Sequence, residues 1–176
     1  MKQGEKGFSL IELIVVTAVI ALISGAATMT VFQVVKSTES SNDRMTAGNQ
    51  VQNAGYWISR DAQMAESVTT DNLTPPDFLI LKWTDWGYDE DSIYHSVVYS
   101  LENVSGGIGK LRRTHQDSVG TDEQLLVAEY IYYNPSDPDN TTKASYESGV
   151  LIMQLVAVFG DAEETREYRI YCRPNF

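Results

Sequence analysis

The sequence predicts an α+β fold: one long N-terminal helix, then an antiparallel β-sheet. Three observations carry this. Residues 8–35 form an apolar run whose one ionisable side chain is Glu12. Residues 36–68 hold no proline and repeat apolar or small residues every three or four positions, the spacing of a helix face. Past Pro75-Pro76 the apolar residues alternate with polar ones, the spacing of strands joined by turns. A helix followed by consecutive hairpins is the order of an α+β protein.

A short polar stretch, residues 1–6, precedes the apolar run. The run of about 28 residues makes a helix of roughly 42 Å, longer than the ~30 Å hydrocarbon core of a bilayer. Three readings compete for it. A secretory signal peptide has a shorter apolar region and a small-residue cleavage site, for which Ser24-Gly25-Ala26-Ala27 could serve. An ordinary signal anchor fits the length, and Lys2, Lys6 and Lys36 give a weak inside-positive bias. The third reading gives Glu12 a partner. A carboxylate near the bilayer centre costs about 2.5–3.5 kcal/mol and less near the interface. If the chain were cut after Gly7, Phe8 would carry a new α-amino group within one helical turn of Glu12, and the two could pair in low dielectric.

The helix is expected to continue through residues 36–70 as an amphipathic segment. Met45, Gly48, Val51, Gly55, Ile58, Ala62, Ala65 and Val68 define its apolar face, and Gln50, Gln52, Asn53, Arg60, Asp61 and Gln63 the polar one. Residues 37–46 are rich in Ser and Thr, weaker helix formers. Pro75-Pro76 marks the stop. Residues 71–176 then form the β head. Strands are predicted over 77–83, 92–101, 108–115, 125–133, 150–159 and 165–172, with turns at 103–107 and 160–163.

The chain has 176 residues. About 140 of them follow the apolar run, enough for one modest core. The net charge of −11 falls almost wholly outside that run. An acidic domain repels phosphate backbones, so no nucleic-acid partner is expected. The single cysteine, Cys172, cannot form an internal disulfide and reads as a half-buried strand residue. His95 and His115 are too few for a histidine metal cluster. The acidic stretches 85–91 and 134–140 lack EF-hand spacing and read as solvated loops. Gly106, Gly107 and Gly109 join two strands, which makes a hairpin turn rather than a phosphate cradle. His95 and Ser96 are strand neighbours pointing to opposite faces, which argues against a hydrolytic triad with Asp91. Trp83, Trp86 and Tyr88 read as sheet packing, with a contact surface as the alternative. No catalytic site, metal or cofactor is expected, and the chain does not read as an enzyme.

Lys6-Gly7-Phe8-Ser9-Leu10-Ile11-Glu12-Leu13 resembles the class III signal of type IV prepilins and type II secretion pseudopilins. The resemblance implies a leader over residues 1–7, cleavage after Gly7 by the membrane prepilin peptidase, and N-methylation of Phe8. It implies a transmembrane and filament-core helix over 8–35, with Glu12 as the docking carboxylate. The implied partners are the prepilin peptidase, other pilins or pseudopilins, an inner-membrane assembly platform, and the lipid bilayer before assembly. The implied location is the cytoplasmic membrane, single-pass with the head outside, and then a cell-surface or periplasmic filament. Ile58-Ser59-Arg60-Asp61, Val98-Tyr99-Ser100-Leu101-Glu102, Gly109-Lys110-Leu111-Arg112-Arg113 and Tyr171-Cys172-Arg173-Pro174-Asn175 look most like J-type minor pseudopilins or related minor pilins. Type IV pilins commonly carry a proline midway along this helix; residues 8–35 have none, and Gly25 is the one weak point. A minor pilin of a type IV pilus and a pseudopilin of a secretion filament both fit. The alternative is a membrane-anchored extracytoplasmic ligand-binding or adhesin module.

Overall fold

The computed structural model of the chain describes residues 9–71, 73, 76–86 and 92–173. One helix, α1 (Leu10–Met64), comes first. Eight strands follow: β1 (Ser67–Thr69), β2 (Asp77–Trp86), β3 (Ser92–Ser105), β4 (Ile108–Asp117), β5 (Asp122–Tyr132), β6 (Lys143–Glu147), β7 (Val150–Phe159) and β8 (Ala162–Tyr171). All pair antiparallel in one sheet, in the order β1-β2-β3-β4-β5-β7-β6 with β8 on β7. This is the α+β architecture the sequence predicts.

The chain divides into two compact units, Met1–Ser41 and Asn42–Phe176. In the first, every described residue is helical except Ser9. In the second, the rest of α1 lies on the sheet. It buries Ala47, Val51, Ala54, Gly55, Ile58 and Ala62 against Leu79 and Leu81 of β2, Val97 and Tyr99 of β3, Leu111 of β4 and Leu151, Met153 and Leu155 of β7. Three of those helix residues are alanines and one is glycine, so the backbones approach closely. At Gly55 the approach is closest: any Cβ there would overlap the ring of Tyr168 from β8. The Tyr168 hydroxyl in turn donates to the carbonyl of Val51 at 3.2 Å.

The helix ends at Met64, short of the expected position 70. Ala65 N–H still donates to the carbonyls of Asp61 and Ala62, but Glu66 N–H donates across to Lys82. The β-branched Val68-Thr69 then pairs with β2 in the register Val68↔Leu81. A strand partner and β-branched side chains win over the helix before Pro75-Pro76 is reached. Two predicted helix contacts also move: Met45 is 62% exposed, and Val68 packs from a strand.

The hairpin over β3 and β4 forms as predicted, with Leu101↔Leu111 in register. So does the β7–β8 hairpin, with Phe159↔Ala162 beside its turn. β6 does not appear in the sequence reading. It pairs with β7 through a two-residue turn in which Ser148 and Gly149 both take positive φ, 51° and 82°. That is the conformation two-residue hairpins require. Between β6 and β5 the edge of β7 is completed by a side chain: Thr142 Oγ1 accepts from Val156 N–H and donates back to its carbonyl.

Candidate functional site

The residues that the resemblance singles out, Gly7, Phe8 and Glu12, lie at or before the start of α1 in the sequence. Gly7 and Phe8 lie outside the described residues. Glu12 lies in the first helical turn, and its N–H donates to the carbonyl of Ser9 at 3.0 Å. Glu12 thus lies at the helix end where a carboxylate is stabilised by the helix dipole.

From Leu10 to Val35, fifteen large apolar side chains are exposed, among them Leu10 at 77%, Leu22 at 75% and Phe32 at 71%. Burying one such side chain is worth about 1.5–3 kcal/mol. In water this surface is strongly unfavourable, so its stable surroundings are apolar. α1 is long and apolar enough to cross a membrane, and fits the membrane anchor of a prepilin. Hydroxyls on that surface are bonded to the helix's own backbone. Thr17, Thr28, Thr30 and Thr38 each donate their hydroxyl to a carbonyl three or four residues earlier, at 2.8–3.0 Å. These hydroxyls are satisfied without water. The helix runs unbroken through Gly25, around which nothing lies within 4 Å.

The second part of α1 is fixed to the sheet by polar groups. Asp61, assigned to the polar face from sequence, is fully buried. Its Oδ2 accepts from Tyr99 Oη at 2.5 Å and Arg113 Nε at 2.7 Å, and its Oδ1 accepts from Arg113 Nη2 at 3.1 Å. Burial, then the Asp61 charge, pushes the Tyr99 hydroxyl far above its ordinary range. Burial alone would lower Arg113, but its bonds and charge pairing with Asp61 outweigh this and raise it. A fork of two donors on one carboxylate is the geometry that makes a buried charge tolerable. Arg113 also lies 5.5 Å from the Trp57 ring centroid, and Arg60 lies 5.3 Å from the same ring.

Two more helix side chains hold β5. Its pairing with β4 shifts between Gly109 and Leu111 and again between Leu111 and Arg112, so residues there bulge out of the ladder. Tyr130, at φ 61°, sits in this stretch with its ring 4.7 Å from Phe159. Gln50 Oε1 accepts from Glu129 N–H at 2.7 Å, and Asn53 Nδ2 donates to the carbonyl of Val127 at 2.5 Å. The helix amides thus satisfy backbone groups in the bulged stretch. No sequence signal marks this role beyond the presence of two amides one turn apart.

The remaining candidates scatter. Trp83 is buried, as expected, but Trp86 is 75% exposed, and Tyr88 lies outside the described residues. Most of the 85–91 stretch lies outside them as well. In the 134–140 loop Asn140 donates to Asp137, and Ser136 N–H donates to Asn134, so these oxygens serve the loop itself. Among the described residues no cluster of three His, Cys, Asp or Glu side chains could hold a metal. Cys172 is a buried thiol just beyond β8, and burial pushes its pKa up. Arg169 pairs with Glu167 and Arg173 lies near Glu66, so the C-terminal arginines form no shared basic site.

A family model described as a prokaryotic N-terminal methylation motif matches residues 2–28. No curated protein and no solved structure matches the chain. The matched residues span the polar stretch, Gly7, Phe8, Glu12 and most of the apolar run.

Proposed function

We propose that this chain is a minor pilin or pseudopilin, most like the J-type subunits, of a type IV pilus or type II secretion-like filament. The carrying observation is the coincidence of the methylation motif over residues 2–28 with a helical segment whose apolar side chains are exposed from Leu10 onward. Prepilin peptidase hydrolyses the bond after Gly7, and the new Phe8 amine takes a methyl group from a methylsulfonium-type donor, which leaves as a thioether while the amine gives up one proton. The head lies outside the cytoplasmic membrane while the helix waits in lipid. Assembly moves the helix from lipid onto the helices of other pilins, with an assembly platform driving the transfer. Apolar contact is kept throughout, so the change in free energy rests on packing and on Glu12. In the filament Glu12 accepts the ammonium of a neighbouring subunit, which removes an unpaired charge from an apolar core. Gln50, Asn53 and the Asp61–Arg113 pair keep α1 on the sheet, so force on the helix reaches the head.

Mass spectrometry of the mature chain tests this directly. The expected N-terminus is N-methylphenylalanine from Phe8. Glu12→Ala should be cleaved normally yet enter filaments poorly. An intact Met1 would instead favour an anchored binding module, for which a cleft of about 490 Å³ beside Trp83 and His95 is one cavity, and a cut near Ala27 would make the apolar run a secretory signal peptide.

A further inference from the structure

The two histidines of the chain meet in the head. His95 of β3 and His115 of β4 lie with ring centroids 5.3 Å apart and planes inclined by 21°. Trp83 of β2 stacks near-parallel on both, at 5.0 Å and 5.9 Å. His95 Nδ1 is 3.1 Å from His115 Nε2, a hydrogen bond that needs one proton between the two nitrogens. The far side of His95 is also committed. Its Nε2 is buried and lies 3.2 Å from Asp85 Oδ2, close enough for an ion pair but outside hydrogen-bond geometry. The charged groups around the pair include Asp85 from β2, Arg113 and Asp117 from β4, Glu123 of β5, the register partner of His115, and Asp61 from α1.

We propose that His95 and His115 form an acid-sensitive latch between β3 and β4. With both rings neutral, one of the facing nitrogens, His115 Nε2 or His95 Nδ1, donates its N–H and the other accepts. With one added proton the pair holds three protons on four ring nitrogens, so one proton still lies between the facing nitrogens and the bond between the rings stays intact. A second added proton fills the last ring nitrogen, whichever of the two facing atoms accepts that bond. Two N–H groups then face each other at 3.1 Å, and the bond is replaced by repulsion between two cations. The rings part, and with them the ends of β3 and β4, which pair here as His95↔Asp117 and Ser96↔Gln116. The adjoining cleft, lined by Glu66, Lys82, Trp83, Tyr94, His95 and Asp117, widens as they separate. Burial, then Arg113 and His95, already lowers the His115 pKa, in keeping with a pair that resists charging. The sign follows. A histidine whose folded pKa is depressed binds fewer protons than the unfolded chain, so stability falls as pH drops below about 6.5.

The test uses the full chain in detergent micelles. Nitrogen NMR of the two imidazoles should give two separated protonation steps for the pair. Two independent, coincident steps would overturn the latch, and this measurement needs no variant. Hydrogen exchange, corrected for its intrinsic pH dependence, should rise at least about tenfold over residues 92–98 and 112–118 between pH ~7.5 and ~5, while β7 and β8 stay protected. His115→Phe keeps an aromatic ring against Trp83 but cannot take a proton, and should abolish that rise. The same rise in the variant, or none in the unmodified chain, would refute the proposal.

Discussion

The two parts of α1 invert the usual relation between hydrophobicity and burial. The part in the first unit is the more apolar and exposes all of its large side chains. The part in the second unit is rich in Ala, Gly, Gln and Asn, carries an aspartate, and buries seven residues, Asp61 among them. Helix geometry is shared, so the difference lies in what each face meets. In the head, burial follows shape: small residues let the backbone approach the sheet, and polar ones answer backbone groups and a buried arginine. Hydrophobicity in the first part therefore serves no contact within this subunit among the described residues. It is addressed to surroundings that the chain does not itself supply, such as lipid or other helices.

Substitutions can break this contrast or sharpen it. The largest effect is expected at Asp61. Asp61→Ala leaves Arg113 buried without its carboxylate and should destabilise the head by about 3–5 kcal/mol. Denaturant titration of the full chain measures this. Adding Arg113→Met should recover much of the loss, because the uncompensated charge goes with the arginine. Next come paired isoleucine truncations. Ile58→Ala should cost about 2–5 kcal/mol, since Ile58 is fully buried in the core. Ile20→Ala, at 56% exposure, should leave the same unfolding curve unchanged. Equal losses at both sites would mean that the first part of α1 is packed in the subunit after all. The smallest effects belong to the amides. Gln50→Ala and Asn53→Ala should each cost about 0.5–1.5 kcal/mol and loosen hydrogen exchange near Val127 and Glu129.

Much of the fold is legible in the sequence. The apolar run, the proline pair and the switch from helical to alternating spacing are local signals, and local signals predict helix, strands and both hairpins. β1 and β6 escape because each is short, three and five residues, and is fixed by its partner strand rather than by its own pattern. The site divides in the same way. Glu12 stands out because a charge in an apolar run is conspicuous. Asp61 does not, because a charge on an amphipathic helix looks solvated, and its partners Tyr99 and Arg113 lie 38 and 52 positions away. The two histidines are 20 positions apart, and the strand register alone makes them neighbours.

The four threonines of the exposed helix have a further consequence. Because each hydroxyl is already bonded to its own backbone, none of them has to find a new partner when the surroundings change. Water is a poor host for this surface, whereas fatty-acyl chains and a bundle of like helices are both good ones. For these groups, passage between the last two involves no polar exchange, and so no barrier of that origin. As far as these four side chains are concerned, the two dry solvents are equivalent, and the threonines oppose traffic between them in neither direction.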